Sequence, residues 1–211
     1  KLKSCPVANV AIDKQWKIGH PLVKGPDQGY LQAFSNMSLV QVGPSGRFEC
    51  VFCAYLPRRQ DDQIDIEKRG RRRLMKITWK LHPKARWADG TSLTGWDVRF
   101  SFEVYRVFVE AGLVPGGTTI NSIVVNDKDA SEFTVIHSQV RSDFVLDMQF
   151  PLLPSIIEEP IWSASKRDPE LYLKASLYRK APRTAGLYNG SFIPQYFQNN
   201  EGKLEQKKEI D

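Results

Sequence analysis

The chain has 211 residues, 41% of them hydrophobic and 26% charged, which is typical of a globular protein with a substantial buried core. No apolar run is long enough to cross a bilayer, so no membrane-spanning helix is predicted. A net charge of +6 allows contact with nucleic acid or with an anionic surface, and the motifs must decide whether such contact is used.

The first 45 residues are punctuated by glycine and proline. A short apolar stretch at 6–12 precedes a segment that contains Gly25 and Pro26. A helix is predicted from about residue 30 to 37, and an apolar strand follows at 38–42. The Gly-Pro-Ser-Gly sequence at 43–46 predicts a turn.

The chain contains three cysteines, Cys5, Cys50 and Cys53. The last two form a C-x-x-C pair, a spacing found in redox motifs and in half of a zinc site. The flanking residues are typical of a strand, and the three histidines are scattered, so neither function is favoured. We expect structural or incidental thiols, with a disulfide between two of the cysteines and a metal site as the alternatives.

A block of charge runs from Arg58 to Arg73, with acidic residues in its first half and basic residues in its second. The basic run at 68–73 could contact nucleic acid, but no aromatic residue within the block is placed to stack on a base. We therefore predict a solvated loop between two strands.

The segment from 77 to 112 has the clearest local pattern. A strand at 77–81 leads to Asp89-Gly90, a dipeptide typical of a tight turn, in which glycine supplies a positive φ. Thr94 and Asp97 then have the spacing of a capping box, so a helix is predicted to begin there. It ends near Gly112.

The predicted helix carries one apolar face, formed by Val98, Phe102, Tyr105 and Val109. Beyond it, a hairpin is predicted with strands at 120–125 and 133–136. Short helices follow at 142–150 and 168–174, and a terminal hairpin is formed by strands at 191–197 and 203–210.

No catalytic or phosphate-binding motif is found. Glu158 and Glu159 are adjacent, so their side chains should point apart on any regular element. His82 and His137 have no neighbouring nucleophile and are expected to be surface or strand histidines. The sequence therefore predicts a protein that is not an enzyme and that needs no metal or cofactor.

The segment from 79 to 102 resembles the signature of the family 5 extracellular solute-binding proteins, the oligopeptide- and dipeptide-binding components of bacterial ABC importers. The residues that match are Trp79, Leu81, Trp87, Asp89, Gly90, Leu93, Thr94, Asp97, Val98, Phe100, Ser101 and Phe102. A second landmark of the family, a turn that opens a returning strand, resembles the stretch around Asn189-Gly190.

The resemblance implies a mixed α/β fold, a partial periplasmic binding protein-like fold of type II. It implies a sheet subdomain made of residues 1–45 and 163–211, a second subdomain of residues 46–162 inserted into it, and an absent C-terminal lobe. The implied function is to bind peptides or another small solute for uptake and to deliver them to ABC permease subunits. The implied location is the periplasm or the outer face of the cytoplasmic membrane, with no signal peptide in this chain.

Site residues follow from the same resemblance. Phe100 is placed to reach a cleft between two lobes, with core packing as the alternative, while Gly25, Pro26 and Asn189 lie along the expected ligand path. The remaining matched positions should build the strand-turn-helix and the hinge: Trp79, Trp87, Asp89, Gly90, Thr94, Asp97, Phe102 and Gly190.

Two other functions stay open at this point. One is a nucleic-acid-binding module that uses the basic run at 68–73. The other is a binding protein of the same fold that serves in sensing or takes a non-peptide ligand. With one lobe alone, we expect weak ligand binding and self-association through an exposed apolar face.

Overall fold

The computed structural model describes residues 22, 38–70, 72–87 and 89–176, together with the backbone of three short strands at 185–187, 196–198 and 204–206. Gly25, Pro26, Asn189, Gly190 and the stretch at 6–12 lie outside the described residues. Among the described helices, none has the length and apolar character needed to cross a membrane.

Strands and helices alternate along the described chain. The strands are β1 (Val40–Val42), β2 (Phe48–Cys50), β3 (Ile64–Arg69), β4 (Arg72–Lys80), β5 (Ala85–Trp87), β6 (Ile120–Asn126), β7 (Asp129–His137), β8 (Ala185–Leu187), β9 (Tyr196–Gln198) and β10 (Leu204–Gln206). The helices are α1 (Gly95–Glu110), α2 (Ser155–Ala164) and α3 (Pro169–Ala175), with 3-10 turns at Arg59–Asp61 and Phe144–Met148.

An antiparallel sheet of four strands, in the order β3-β4-β7-β6, forms the centre of the described region. Strand β4 shows why it forms. Met75, Ile77 and Trp79 alternate with polar residues, so one face of the strand is buried and the other is partly exposed to solvent. The predicted hairpin at 120–136 is confirmed as β6 and β7.

The prediction of a loop at 58–73 is wrong. After the 3-10 turn, its residues form β3, the turn and the start of β4. Those of its charged residues whose burial is described are exposed or half-buried, and Glu67 pairs with Lys76 across the two strands at 2.6 Å. A segment rich in charged residues suits a solvated edge hairpin as well as a loop, so composition could not separate the two.

Helix α1 lies on the inner face of the sheet and is buried on two sides. Val98 and Phe102 join the sheet core, as predicted. Phe100, Val104 and Phe108 lie in a second cluster with residues of α2 and α3. One apolar stripe was predicted, but α1 is a middle layer, and so it needs two.

Helix α2 was not predicted from the sequence. It begins after Pro154 and contains Pro160, and prolines normally end a helix in a sequence-based reading. The helix predicted at 168–174 is confirmed as α3, while a 3-10 turn at Phe144–Met148 replaces the short helix predicted at 142–150. Glu158 is buried and Glu159 exposed, so the two carboxylates do point apart, as expected.

A disulfide joins Cys50 and Cys53, so the expectation of free thiols is wrong and the disulfide alternative is confirmed for this pair. The strand expected across both cysteines ends at Cys50, and bends follow. That bend brings the two sulfur atoms together. Cys53 is buried beside Leu39, and the bridge therefore fixes the corner between β2 and the sheet core.

Two further strand pairs involve the last part of the chain. β5 pairs antiparallel with β8, and β9 pairs with β10, which confirms the predicted terminal hairpin. Leu39 and Val40 pack in the same core as the sheet. The proposed division into residues 1–45 with 163–211 and residues 46–162 stays a prediction.

Gly90 confirms the predicted turn, because its φ is +86° and its N–H donates to the carbonyl of Trp87 at 2.9 Å. Gly90→Val should lower the free energy of unfolding by about 2–3 kcal/mol, since a β-branched residue strongly resists positive φ. Gly90→Asn should cost less, because asparagine tolerates that region. Urea unfolding of both variants checks this, and equal costs would contradict the turn.

Candidate ligand-binding region

The turn between β5 and α1 is held by side-chain and backbone hydrogen bonds. The carboxylate of Asp89 accepts from the N–H and hydroxyl of Thr91 at 3.0 and 2.6 Å. The N–H of Trp87 donates to the carbonyl of Thr91 at 2.8 Å, and that of Leu93 donates to Ala85 at 3.1 Å. These bonds return the chain along β5 and aim it into α1.

Thr94 and Asp97 form the predicted capping box at the start of α1. Oδ2 of Asp97 accepts the backbone N–H of Thr94 at 2.8 Å and its hydroxyl at 3.0 Å. A carboxylate in the first turn also suits the positive end of the helix dipole. The sequence predicted this part of the region correctly.

The second oxygen of Asp97 does something that the sequence did not reveal. Oδ1 accepts the backbone N–H and the hydroxyl of Ser155, both at 2.8 Å, at the first residue of α2. One buried carboxylate thus serves the starts of two helices, and its partner Ser155 lies 58 residues further along the chain. Ser101 adds a second link, since its hydroxyl oxygen accepts the N–H of Leu153 at 2.7 Å.

Aromatic side chains fill the space between the sheet and α1. Trp79 is fully buried and meets Phe144 edge-on, with ring centroids 6.3 Å apart. Phe102 and Tyr105 both lie within 6 Å of the ring of Phe150. The matched positions Trp79, Trp87 and Phe102 are therefore core residues, as the resemblance implied.

Phe100 lies in the second cluster, on the side of α1 away from the sheet, and is 3% exposed. Its neighbours there include Tyr172 of α3 and Leu22, which precedes the Gly25-Pro26 segment by three residues. The described structure thus brings Phe100 close to the stretch that leads to two other predicted site residues. Core packing accounts for its burial, and its contact with a ligand stays a prediction.

A buried polar cluster at the end of β7 was missed by the sequence analysis. His137 has no solvent exposure, and its Nδ1 lies 2.9 Å from the hydroxyl of Thr119 and 3.5 Å from Asp147. Thr119 donates to Oδ2 of Asp147 at 2.7 Å, and Arg141 approaches Oδ1 at 3.3 Å. These residues are scattered in sequence, so only the fold reveals the cluster.

Two opposing effects set the pKa of Asp147. Burial alone would raise it, but hydrogen bonds from His137 and Thr119 and the charge of Arg141 hold the pKa below its usual 3.8. The carboxylate therefore stays ionised beneath Arg141. Its role is structural, because it ties the 3-10 turn to β6 and β7.

Asp147→Asn should reduce stability most above about pH 4. The folded-state pKa lies below the unfolded one, so the ionised carboxylate stabilises the protein above 3.8, and this contribution is lost as pH falls through the lowered value. Urea unfolding at pH 7 and pH 3 checks this, with exposed Asp127→Asn as the control. A variant deficit that grows towards low pH would contradict the assignment.

The turn of the β6–β7 hairpin contains two aspartates, and one of them pairs with a lysine of the neighbouring strand. Lys80 of β4 bonds to Asp129, and the pKa of that carboxyl falls to about 2 because of this bond and those from Ser131. The pair is solvent-accessible and sets local charge only. Over the described ranges, no group of three metal-ligating side chains lies close enough together to hold an ion.

Comparisons with known proteins place this fold. No family model and no curated protein matches the sequence. Solved structures do match. One is an ABC transporter substrate-binding protein, CtaP, from Listeria monocytogenes, with a TM-score of 0.55 and 18% sequence identity. The match covers 83% of this chain and 32% of that chain. The oligopeptide-binding protein of Thermus thermophilus, complexed with a pentapeptide, has a TM-score of 0.53 at 19% identity over 75% and 28%.

A third match is NikZ from Campylobacter jejuni in complex with Ni(L-His), with a TM-score of 0.52 at 16% identity over 83% of this chain and 30% of that chain. This chain therefore spans about a third or less of the length of each of these three structures. At such identities the similarity concerns the fold. The chain has the mixed α/β, periplasmic binding protein-like fold of these solute-binding proteins.

Proposed function

We propose that this chain is the N-terminal lobe of a family 5 solute-binding protein, the component of an ABC importer that captures oligopeptides or dipeptides for uptake. The fold match to three binding proteins is the observation that carries the proposal. The strand-turn-helix from Trp79 to Phe102 adds sequence support, because twelve residues there follow the family signature.

The proposed ligand contacts are Phe100, Gly25, Pro26 and Asn189. Phe100 shares a cluster with Leu22, which precedes Gly25 by three residues in the sequence, and this supports the grouping. A peptide would lie against this side of the lobe and be closed over by a second lobe, as hinge-closing proteins do. Specificity would come largely from that second lobe, and a nickel complex, a sugar or another solute is the alternative ligand.

An extracytoplasmic location is part of the proposal. The disulfide between Cys50 and Cys53 supports it, because such bridges persist mainly outside the reducing cytosol. The partners would be ABC permease subunits. A sensing protein that uses the same fold without an importer would share every one of these features.

Calorimetry with a mixture of di- to pentapeptides tests the function. This lobe alone should bind peptides weakly. About half of the contacts would be missing, while the peptide would still lose its full translational and rotational entropy on binding. A longer protein that carries this sequence with a second lobe should bind in about the micromolar range, roughly a thousandfold tighter. Micromolar binding by this lobe alone would relocate the site, and no peptide binding by the longer protein would overturn the peptide assignment.

The nucleic-acid alternative predicts something different. The basic run at 68–73 lies at the turn end of the β3–β4 hairpin, directly after an acidic stretch, and the sequence places no aromatic residue between 58 and 73. We expect DNA affinity to be weak and unchanged when Lys68 and Arg73 are both replaced by glutamine. Strong binding that falls steeply with salt and is lost in that variant would favour the alternative.

A further inference from the structure

A groove of about 520 Å³ lies between α1 and β6. Its floor is apolar and includes Phe102, Ile123 and Trp162, each of which is at most 5% exposed. Its volume falls within the range of ligand pockets. Nothing in the proposed solute-binding role uses it.

Three arginines line this groove. Arg99 and Arg106 lie two turns apart on α1, and Arg167 comes from the connection between α2 and α3. Glu103 pairs with Arg99 at 3.0 Å, while Arg106 lies 3.7 Å from Glu110. Arg167 makes no ion pair with any residue that the structure describes, so the groove keeps an excess of positive charge.

The wall opposite α1 is the outer edge of the sheet. No described strand pairs with that edge of β6. The strand at the other edge, β3, carries four charged residues in six, the usual protection against pairing with another chain. Strand β6 has the sequence Ile-Asn-Ser-Ile-Val-Val-Asn, without charge or proline. Irregularities at its two ends leave the stretch 122–125 as regular strand.

The two faces of β6 differ, and the difference indicates which kind of peptide could pair with its open edge. Both Ile123 and Val124 border the groove, but Ile123 is buried on the face that packs against α1, while Val124 is 52% exposed on the opposite face. A strand added beside β6 would place alternate residues near the arginines and the rest beside Val124. Carboxylates suit the first set and apolar side chains the second.

We propose that the groove and the β6 edge together bind an acidic, extended peptide segment of a partner protein as a fifth strand of the sheet. Main-chain hydrogen bonds to β6 would supply affinity, and the arginines would select acidic side chains. A second copy of this chain fits less well, because edge-to-edge pairing would bring two arginine clusters together.

Fluorescence anisotropy with a labelled peptide of three Glu-Val repeats tests this on the 211-residue chain. We expect binding at low salt that weakens at about 1 M salt, where charges are screened beyond about 3 Å. The double variant Arg106→Glu and Arg167→Glu should bind at least tenfold more weakly. Arg58→Glu with Arg59→Glu is the matched control, since these exposed arginines lie away from the groove.

Two altered probes separate strand addition from simple charge attraction. A peptide whose two central residues are proline keeps most of the charge but loses main-chain donors, and it should bind at least tenfold more weakly. Glutarate at an equal carboxylate concentration should not displace the parent peptide. Equal binding of a Lys-Val peptide, full competition by glutarate or an unaffected double variant would each overturn the proposal.

A dimer of the chain is the remaining outcome to separate. Sedimentation at the concentrations used for anisotropy should show no dimer that depends on the β6 edge, so the Ser122→Pro substitution should leave the oligomeric state unchanged. A dimer that the Ser122→Pro substitution at the edge dissociates would overturn the proposal in favour of self-pairing. Peptide binding by this groove does not depend on the solute-binding role, so the calorimetry described above can fail while this experiment succeeds.

Discussion

Asp97→Ala should destabilise the protein by about 3–5 kcal/mol, because the substitution leaves two helix starts without their acceptor. The N–H groups of Thr94 and Ser155 each donate to this carboxylate at 2.8 Å and are buried or half-buried. A single cap typically contributes about 1 kcal/mol, but here one side chain serves two helices and two hydroxyls as well.

Asp97→Asn separates the two halves of this role. Asparagine keeps one acceptor oxygen, so it can serve one helix start, while its amide group faces donors at the other. We expect a loss of about half that of the alanine variant. Asp127→Ala, in the exposed hairpin turn, should cost under about 0.5 kcal/mol. Urea unfolding gives all three values, and a loss at Asp97 no larger than at Asp127 would contradict the double cap.

Trp79→Ala should be comparably damaging, at about 3–5 kcal/mol, since it empties a fully buried site at the centre of the sheet core. Trp79→Phe should lower the free energy of unfolding much less than the replacement of a buried tryptophan usually does. The indole N–H of Trp79 is buried, and no acceptor among the described residues lies within hydrogen-bond distance. Phenylalanine removes that unsatisfied donor, which offsets part of the lost packing.

Thermal and urea unfolding of both Trp79 variants would measure this contrast. Trp96→Ala is the matched control, because Trp96 lies on the same subdomain but is 43% exposed, with the cation of Arg99 at 5.6 Å from its ring. Its loss should be about 1 kcal/mol or less. If Trp79→Phe lowered the free energy of unfolding as much as Trp79→Ala, the conclusion that the indole N–H has no hydrogen-bond acceptor would be contradicted.

Elements whose signals are local could be predicted from the sequence. The Asp89-Gly90 turn, the capping box at Thr94, helix α1 and the β6–β7 hairpin depend on residues within a few positions of one another, and all are present. The turn at 43–46 is also confirmed, with Gly46 at a φ of +73°. The fold class followed from the family resemblance that these local elements carried.

Features that depend on tertiary contacts could not be predicted. Helix α2 has unfavourable prolines, and its start is capped by Asp97 from a distant helix. The second apolar side of α1 exists because α2 and α3 cover it. The cluster of Thr119, His137 and Asp147 joins three separate segments. In each case the deciding partner lies many residues away.

The candidate site was predicted only in part. The strand-turn-helix that frames it is present, and Phe100 lies in the same hydrophobic cluster as Leu22. Contact of Phe100, Gly25, Pro26 or Asn189 with a ligand remains a prediction, because a resemblance identifies positions without showing what touches them. For the cysteines, the sequence left free thiols, a disulfide and a metal site as alternatives. The C-x-x-C spacing alone does not show that the chain bends between Cys50 and Cys53, and this bend is what allows the disulfide to form.

The pairing of β5 with β8 has a consequence for synthesis. On one edge of β5, Arg86 forms a bridge with Ser92, which is close in sequence. The other edge pairs with residues 185–187, which are synthesised much later. Ribosomes add about 5–20 residues per second, so this partner emerges roughly 5–20 s later. During that interval the strand that carries Trp87 has an open edge next to an aromatic side chain. The nascent chain should therefore be most vulnerable to misassociation before residue 187 has emerged, and factors that hold unfolded chains should act on it in that window.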